Sequence, residues 1–262
     1  MGYRRSPDKW EQNYPDLKIG INKESFIGDQ LIGPYFFWEQ FARRYIKKDD
    51  HILSIGSGPC INELALIEKG FMVACSDIKK SKYYDDFQRL FGPFPFYRIN
   101  ILTDAIPQKY DVILCLSVAY LFNKEQLEKF FFQISKGLNL NGRFILDVGG
   151  ARDSIFAFIW SNFCLKFEKF CLAHVKSYQT GSKYVVEREH HGYRYKDREI
   201  VTVAKRYGLV LIDCAKYDFL TEFRRSAVLR NLMGKVELVR SISDLIGKMN
   251  PYIRCFSFEK KR

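Results

Sequence analysis

The sequence is short of the residues that build membrane, secreted and metal-centred proteins. No apolar run is long enough to span a bilayer, so no transmembrane segment is expected. The first twenty residues, MGYRRSPDKWEQNYPDLKIG, carry no apolar core of the secretory kind. Histidine occurs only four times, and the seven cysteines form no Cys-x-x-Cys pair and no Cys/His cluster. That excludes a disulfide framework and a structural zinc site, and predicts buried thiols in a reducing, cytoplasmic setting with no metal. Repeats and low-complexity stretches are also missing, which argues against a solenoid or a disordered tail.

What is present is a globular composition, 47% hydrophobic and 27% charged over 262 residues, enough for one large domain. Basic residues outnumber acidic ones by 42 to 30, a net charge of +12. An excess of this size suits nucleic acid, anionic lipid or an acidic substrate. The basic residues are dispersed rather than run together, so an ordinary solvated surface explains them equally well.

Short apolar runs alternate with helical patterns from His51 to Gly150. Strands are expected at 52–56, 71–78, 96–102, 110–118 and 143–150, with helices from Pro59 to Lys69, near 80–90 and near 123–137. The run YDVILCLSV, 110–118, is apolar throughout, as a strand buried on both faces requires. Beyond Gly150, helix is expected over 153–175, in the segment DREIVTVAKRYG ending at Gly208, and over 224–248. Two more strands are expected at 209–219 and 252–261. This reads as an α/β fold: a doubly wound, mostly parallel seven-stranded sheet with helices on both faces and an antiparallel last strand. An N-terminal arm and covering helix, with the helix near 34–47, occupy 1–48. The main domain fills 49–262, with helical insertions near 151–185 and 224–248.

The motif that carries chemistry is ILSIGSGPC, 52–60, where a strand ends in Gly56-Ser57-Gly58. Glycines at a strand-to-helix turn let the backbone approach a ligand. A nucleoside triphosphate loop needs Gly-Lys-Ser/Thr there, and Pro59-Cys60 follow instead. A dinucleotide fingerprint needs a third glycine where Ile61 stands, which disfavours an NAD-dependent oxidoreductase. Asp77 closes the second strand, 21 positions after Gly56, where a carboxylate can accept hydrogen bonds from the hydroxyls of a ribose. An alternative use of Asp77 is to cap a helix starting near Lys79.

The ordered set ILSIGSGPC, ACSDI, INIL, YDVILCLSVAYLF and LNLNGRFILDVGG resembles the class I S-adenosylmethionine-dependent methyltransferases. The resemblance covers roughly residues 50–150, with a weaker tail in HGYRYKDREIVTVAKRYGLVLID and RCFSFEKK. It implies S-adenosyl-L-methionine as cofactor. Gly56, Ser57 and Gly58 would lie beside its methionine part, Asp77 on the ribose hydroxyls, and Ile78 and Ile101 against the adenine. Asn100 would face the adenine amine, and the segment Cys115, Leu116, Ser117 would line the floor beneath the sulfonium. Asn100 stands where the family often has an acidic residue, and its amide oxygen can still accept the bond without charge assistance.

A methyl sulfonium is already activated, so positioning and desolvation do most of the work, and a base helps when the acceptor is a hydroxyl. His190 and His191 are the leading candidates for that base, with Asp147 and Tyr193 also available and Asp153 as a further cap. The aromatic groups Tyr35-Phe36-Phe37-Trp38 and Phe156, Phe158, Trp160 and Phe163 read as packing faces first, and as lids or acceptor pockets second. No Asn-Pro-Pro-Tyr or Asp-Pro-Pro-Tyr follows the fourth strand, and Cys60 lies in the wrong place for a cytosine nucleophile. A small-molecule acceptor is therefore expected, such as a hydroxyl of a sugar or other metabolite. Two alternatives stay open. One is a nucleic-acid methyltransferase using Arg224, Arg225, Arg230 and Lys235 on phosphates. The other is a cofactor-binding protein without activity.

Overall fold

The computed structural model describes residues 41–116, 118–148, 159–181, 193–217, 228, 229, 232, 235–249 and 253–261. Seven strands form one sheet in the order β3-β2-β1-β4-β5-β7-β6, with the last strand antiparallel. They are β1 (His51–Ile55), β2 (Met72–Asp77), β3 (Phe96–Arg98), β4 (Tyr110–Cys115), β5 (Leu138–Val148), β6 (Leu209–Tyr217) and β7 (Ile253–Lys260). β1 pairs in parallel with β2 on one side and β4 on the other. The strand order therefore reverses between β1 and β4, and the crevice beyond their carboxyl ends is the position where open α/β sheets bind ligands.

Among the described residues six α-helices accompany the sheet strands: α1 (Ile61–Glu68), α2 (Tyr84–Phe91), α3 (Lys124–Gly137), α4 (Leu165–Thr180), α5 (Asp197–Arg206) and α6 (Glu237–Met249). α3 starts on a capping box: Gln126 N–H donates to Asn123 Oδ1 at 2.8 Å, and the Asn123 N–H donates to Gln126 Oε1 at 2.9 Å. Its apolar stripe, Leu127, Phe130, Phe131 and Ile134, is buried. Phe131 meets Phe144 of β5 edge-on at 5.7 Å and Phe258 of β7 at 6.1 Å, which makes an aromatic core on that half of the sheet. α2 buries Tyr84, Phe87 and Phe91 against Cys60, Leu64 and Cys75 on the other half. α5 stops at Gly208, whose φ of 73° an L side chain resists.

The chain forms two compact units. One comprises 1–148, 197–215 and 255–262 and holds the sheet; the other comprises 149–196 and 216–254. Within the second, a π-helical turn, Trp160–Cys164, leads into α4.

Several elements differ from expectation. α1 begins at Ile61 rather than Pro59, because Cys60 sits in the left-handed region at φ 63° and keeps the first helical turn from forming until after it. β3 ends at Arg98 instead of running to Leu102: Asn100 N–H donates to Asp104 Oδ2 at 2.8 Å and Thr103 N–H to Asn100 O at 2.9 Å, which folds 100–104 into a turn. The Asn-Leu-Asn-Gly stretch is not a turn between elements but a bulge inside β5, where the register jumps between Tyr110↔Leu138 and Val112↔Arg143 and Asn141 takes φ 62°. The helix near 34–47 gives way at Ala42 to a turn. α2 starts at Tyr84, not near residue 80. Phe163 is 62% exposed rather than core, and Cys164 and Cys171 are exposed while Cys60, Cys75, Cys115 and Cys255 are buried. Among the described residues no helix is long and apolar enough to cross a membrane, and no group of three or more His, Cys, Asp or Glu is arranged to hold a metal.

Candidate functional site

The turn after β1 has five residues, 56–60, three of them in left-handed conformation: Gly56 at φ 69°, Gly58 at φ 55° and Cys60 at φ 63°. Gly56 also has no room for a side chain, since a Cβ there would lie 2.4 Å from Val118 Cγ2. The turn after β1 and the segment after β4 thus touch, as expected at the point where the strand order reverses.

Hydrogen bonds pin this turn to β2. Ser57 N–H and Ser57 Oγ both donate to Ser76 O, at 2.9 and 3.1 Å, and Ser76 Oγ donates to Ser54 O at 2.8 Å. The tie to Asp77 matters most: Gly58 N–H donates to Asp77 Oδ2 at 2.9 Å, and Ile78 N–H to Oδ1 at 2.7 Å. Burial pushes the Asp77 carboxyl above its ordinary value, while the N–H groups of Gly58, Ile78 and Lys79 pull it back. A carboxylate offers about four acceptor sites, so capacity remains for a ligand hydroxyl. The helix that Asp77 was expected to cap starts seven residues later at Tyr84, so its partners are the turn and not a helix.

Around this pair, Ile78 is 43% exposed and offers an apolar face beside Asp77. Ile101 and Leu116 are buried, at 6% and 5% exposure. Asn100 is exposed, and its side-chain oxygen accepts from Leu102 N–H at 3.2 Å, which occupies one of two lone pairs. The thiols of Cys75 and Cys115 are pushed well up by burial and stay protonated, so neither is a nucleophile. Asp147 is buried near the end of β5 and its charge acts on Cys115 and Cys255. Ser117, Tyr35, Phe36, Phe37, Trp38, Asp153, Phe156, Phe158, His190, His191, Arg224, Arg225 and Arg230 lie outside the described residues. Tyr193 is half-buried, and belongs to the second unit.

No family model matches the chain, and no curated protein does either. Solved structures do. A putative sarcosine dimethylglycine methyltransferase from Galdieria sulphuraria aligns with 97% of this chain and 98% of its own at a TM-score of 0.59 and 15% identity. The 1,6-didemethyltoxoflavin-N1-methyltransferase of Burkholderia thailandensis, solved with its substrate and S-adenosylhomocysteine, aligns over 98% and 87% at 0.59 and 10% identity. Magnesium protoporphyrin IX methyltransferase from Synechocystis, solved with S-adenosylhomocysteine, aligns over 97% and 93% at 0.54 and 14% identity.

The fold is that of the class I S-adenosylmethionine-dependent methyltransferases.

Within this methyltransferase fold, three polar residues escape a reading for motifs. Ser54 and Ser76 stand in otherwise apolar strands and are buried, at 1% and 0% exposure. Glu63 is buried at 1% exposure, and its Oε1 accepts from Ser54 Oγ at 2.5 Å. Its signal in the sequence is positional: it follows Cys60 by three and precedes Ile67 by four, on the helix stripe that packs inward.

Proposed function

We propose that the chain transfers a methyl group from S-adenosylmethionine to a small-molecule acceptor. The observation that carries this reading is the Gly58 N–H to Asp77 carboxylate bond, which joins a left-handed glycine turn to an acceptor at the end of β2. The residues fit the cofactor chemically. No basic side chain belongs to the turn, so a phosphate has no counter-charge there, whereas a ribose meets an oriented carboxylate and an adenine meets Ile78. The methionine part would lie along Gly56, Ser57 and Gly58, a turn whose two left-handed glycines carry no side chain.

When bound, the sulfonium supplies the activated methyl group. The work of this chain is then to hold and orient. Asp77, clamped by main-chain donors, holds the ribose without having to reorganise. Leu116 would line the floor of the site, as the resemblance implies also for the neighbouring Ser117, and the buried Ile101 and Cys115 would help exclude water. His190 and His191 remain the proposed bases for a hydroxyl acceptor, placed in the chain after β5. The solved neighbours act on a toxoflavin precursor and on magnesium protoporphyrin IX, both low-mass acceptors, which supports a small molecule over nucleic acid.

Incubation of the purified protein with methyl-labelled S-adenosylmethionine and a size-fractionated cell extract tests this. Label is expected in the low-mass fraction, with turnover indifferent to salt. Label in RNA, lost steeply with salt, would replace the small-molecule reading with the nucleic-acid one. No transfer to any fraction, with the cofactor nevertheless bound, would favour a binding protein without activity.

A further inference from the structure

Glu63 has a buried carboxyl that the fold alone leaves short of a partner. It sits in the first turn of α1, directly after the left-handed Cys60, and is 1% exposed. One oxygen accepts from Ser54 Oγ at 2.5 Å, and the other, Oε2, is buried with no hydrogen-bond partner among the described residues. Among the described residues no cation acts on it. β2 contributes Cys75 and the like charge of Asp77, the turn contributes Cys60, and Tyr84 of α2 lies beyond these thiols. Contrast Glu259 of β7, also buried, whose carboxylate meets both Arg143 and Lys261. Burial pushes the Glu63 carboxyl up to about 7, the Ser54 hydroxyl and its own main-chain N–H pull the other way, and Asp77 pushes it further. Within the folded chain the group is therefore poised to change charge near neutrality, with a single positive charge missing from its surroundings.

The proposed cofactor carries an ammonium beside an α-carboxylate, and a sulfonium, on the amino-acid part that the reading above sets along Gly56–Gly58, the turn that leads into α1; the two cationic centres are what a buried carboxylate can meet. We propose that Glu63 is the buried counter-charge for the cationic amino-acid end of the cofactor, releasing its proton to solvent as that end settles on the Gly56–Gly58 turn. The inference rests on the S-adenosylmethionine reading. Glu63 acts through the low-dielectric space behind the turn and is a positioning residue; Asp77 holds the nucleoside. Two binding contributions follow, one from the nucleoside and one from charge, and only the second is proton-linked through Glu63.

Calorimetric titration separates them. S-adenosylhomocysteine carries the ammonium with its α-carboxylate, and 5′-methylthioadenosine carries the same nucleoside without either, so only the first offers Glu63 a cation. Both are titrated between pH 5.5 and 7.5, in two buffers of different ionisation heat. The affinity for S-adenosylhomocysteine should rise about tenfold more over that range than the affinity for methylthioadenosine, with extra proton release approaching one. Any titration of Asp77 enters both ligands alike and cancels. Glu63→Gln should abolish the extra slope and the extra protons, weaken S-adenosylhomocysteine about tenfold at pH 7.5, and leave methylthioadenosine within twofold. Ser54→Ala, which keeps the carboxyl and removes its donor, should move the transition to higher pH, and it serves if Glu63→Gln fails to fold. An unchanged slope in either variant, or equal loss of both ligands in Glu63→Gln, overturns the proposal while leaving the cofactor reading standing. Failure of the unaltered protein to bind either nucleoside overturns the cofactor reading, and this inference with it.

Discussion

The two halves of the sheet bury different chemistry. On the β5–β7 side the interior is built from rings, with Phe130, Phe131, Phe144, Phe256 and Phe258 all fully buried. The β1–β2 side buries rings too, in Tyr84, Phe87 and Phe91, but beside the glycine turn it also buries hydroxyls and a carboxyl, in Ser54, Ser57, Ser76 and Glu63. Rings bring large apolar area and favourable edge-to-face contacts. Buried hydroxyls and carboxyls at best recover the cost of leaving water. The rings therefore supply stability, and the buried polar groups beside β1 and β2 spend some of it to hold the glycine turn in place. The two buried glutamates differ as well, since Glu259 is neutralised by Arg143 and Lys261 whereas Glu63 meets the Ser54 hydroxyl and its own main-chain N–H, with no cation among the described residues.

Breaking the aromatic half should have the largest effect on stability. Phe131→Ala removes a ring in contact with Phe130, Phe144 and Phe258, and should lower the unfolding free energy by about 3–5 kcal/mol in denaturant titration. Ligand affinity measured well below the melting temperature should stay close to that of the unaltered chain.

The polar half should show itself through pH. The folded Glu63 carboxyl, raised to about 7 by burial, binds its proton more tightly than the unfolded one near its ordinary value of 4.5. The resulting stabilisation is complete below about 4.5 and is lost as pH rises toward 7, a decline of roughly 3 kcal/mol in the ligand-free protein. Thermal melts from pH 4.5 to 7.5 should show that decline, and Glu63→Gln should flatten it. A flat profile in the unaltered chain would mean that the carboxyl is not buried in neutral form.

Gly56→Ala should cost about 2 kcal/mol, because it combines a φ of 69° with a clash on Val118. Gly92→Ala sharpens the comparison: its φ is 88° but nothing lies within 4 Å, so only backbone strain remains and the loss should be nearer 1 kcal/mol. Only the first should also weaken nucleoside binding. The smallest expected effect is that of Asn123→Ala, which removes the capping box of α3 and should cost about 1 kcal/mol by thermal melting with no change in binding.

The strand and helix alternation was legible because each strand of the sheet's centre is an apolar run bounded by turn residues. The seven-stranded, mostly parallel sheet with its antiparallel last strand followed from the resemblance carried by Gly56, Gly58 and Asp77, whereas the strand order itself needed the structure. What escaped were features decided by side-chain hydrogen bonding. β3 stops early because Asn100 and Asp104 close a turn that INIL does not advertise, and the β5 bulge at Asn141 hides behind a stretch with ordinary turn composition. Pro59 looked like a first helical residue, but the left-handed Cys60 after it delays the helix. Glu63 was invisible to motif reading because one carboxylate on a short helix looks like a solvated residue. Only its place on the inward stripe, opposite Ser54, gives it meaning. Ile78 and Asp77 were legible as neighbours at a strand end, whereas the clamp on Asp77 by Gly58 needed the folded turn.

The most direct test of the central claim is calorimetric titration of the purified chain with S-adenosylhomocysteine, with NAD in parallel, on the unaltered protein and on Asp77→Ala. The account predicts that S-adenosylhomocysteine binds and NAD does not, and that Asp77→Ala weakens binding about a hundredfold, as expected for loss of charge-assisted bonds to a ribose. Binding of NAD, or S-adenosylhomocysteine binding that is indifferent to Asp77, would contradict it.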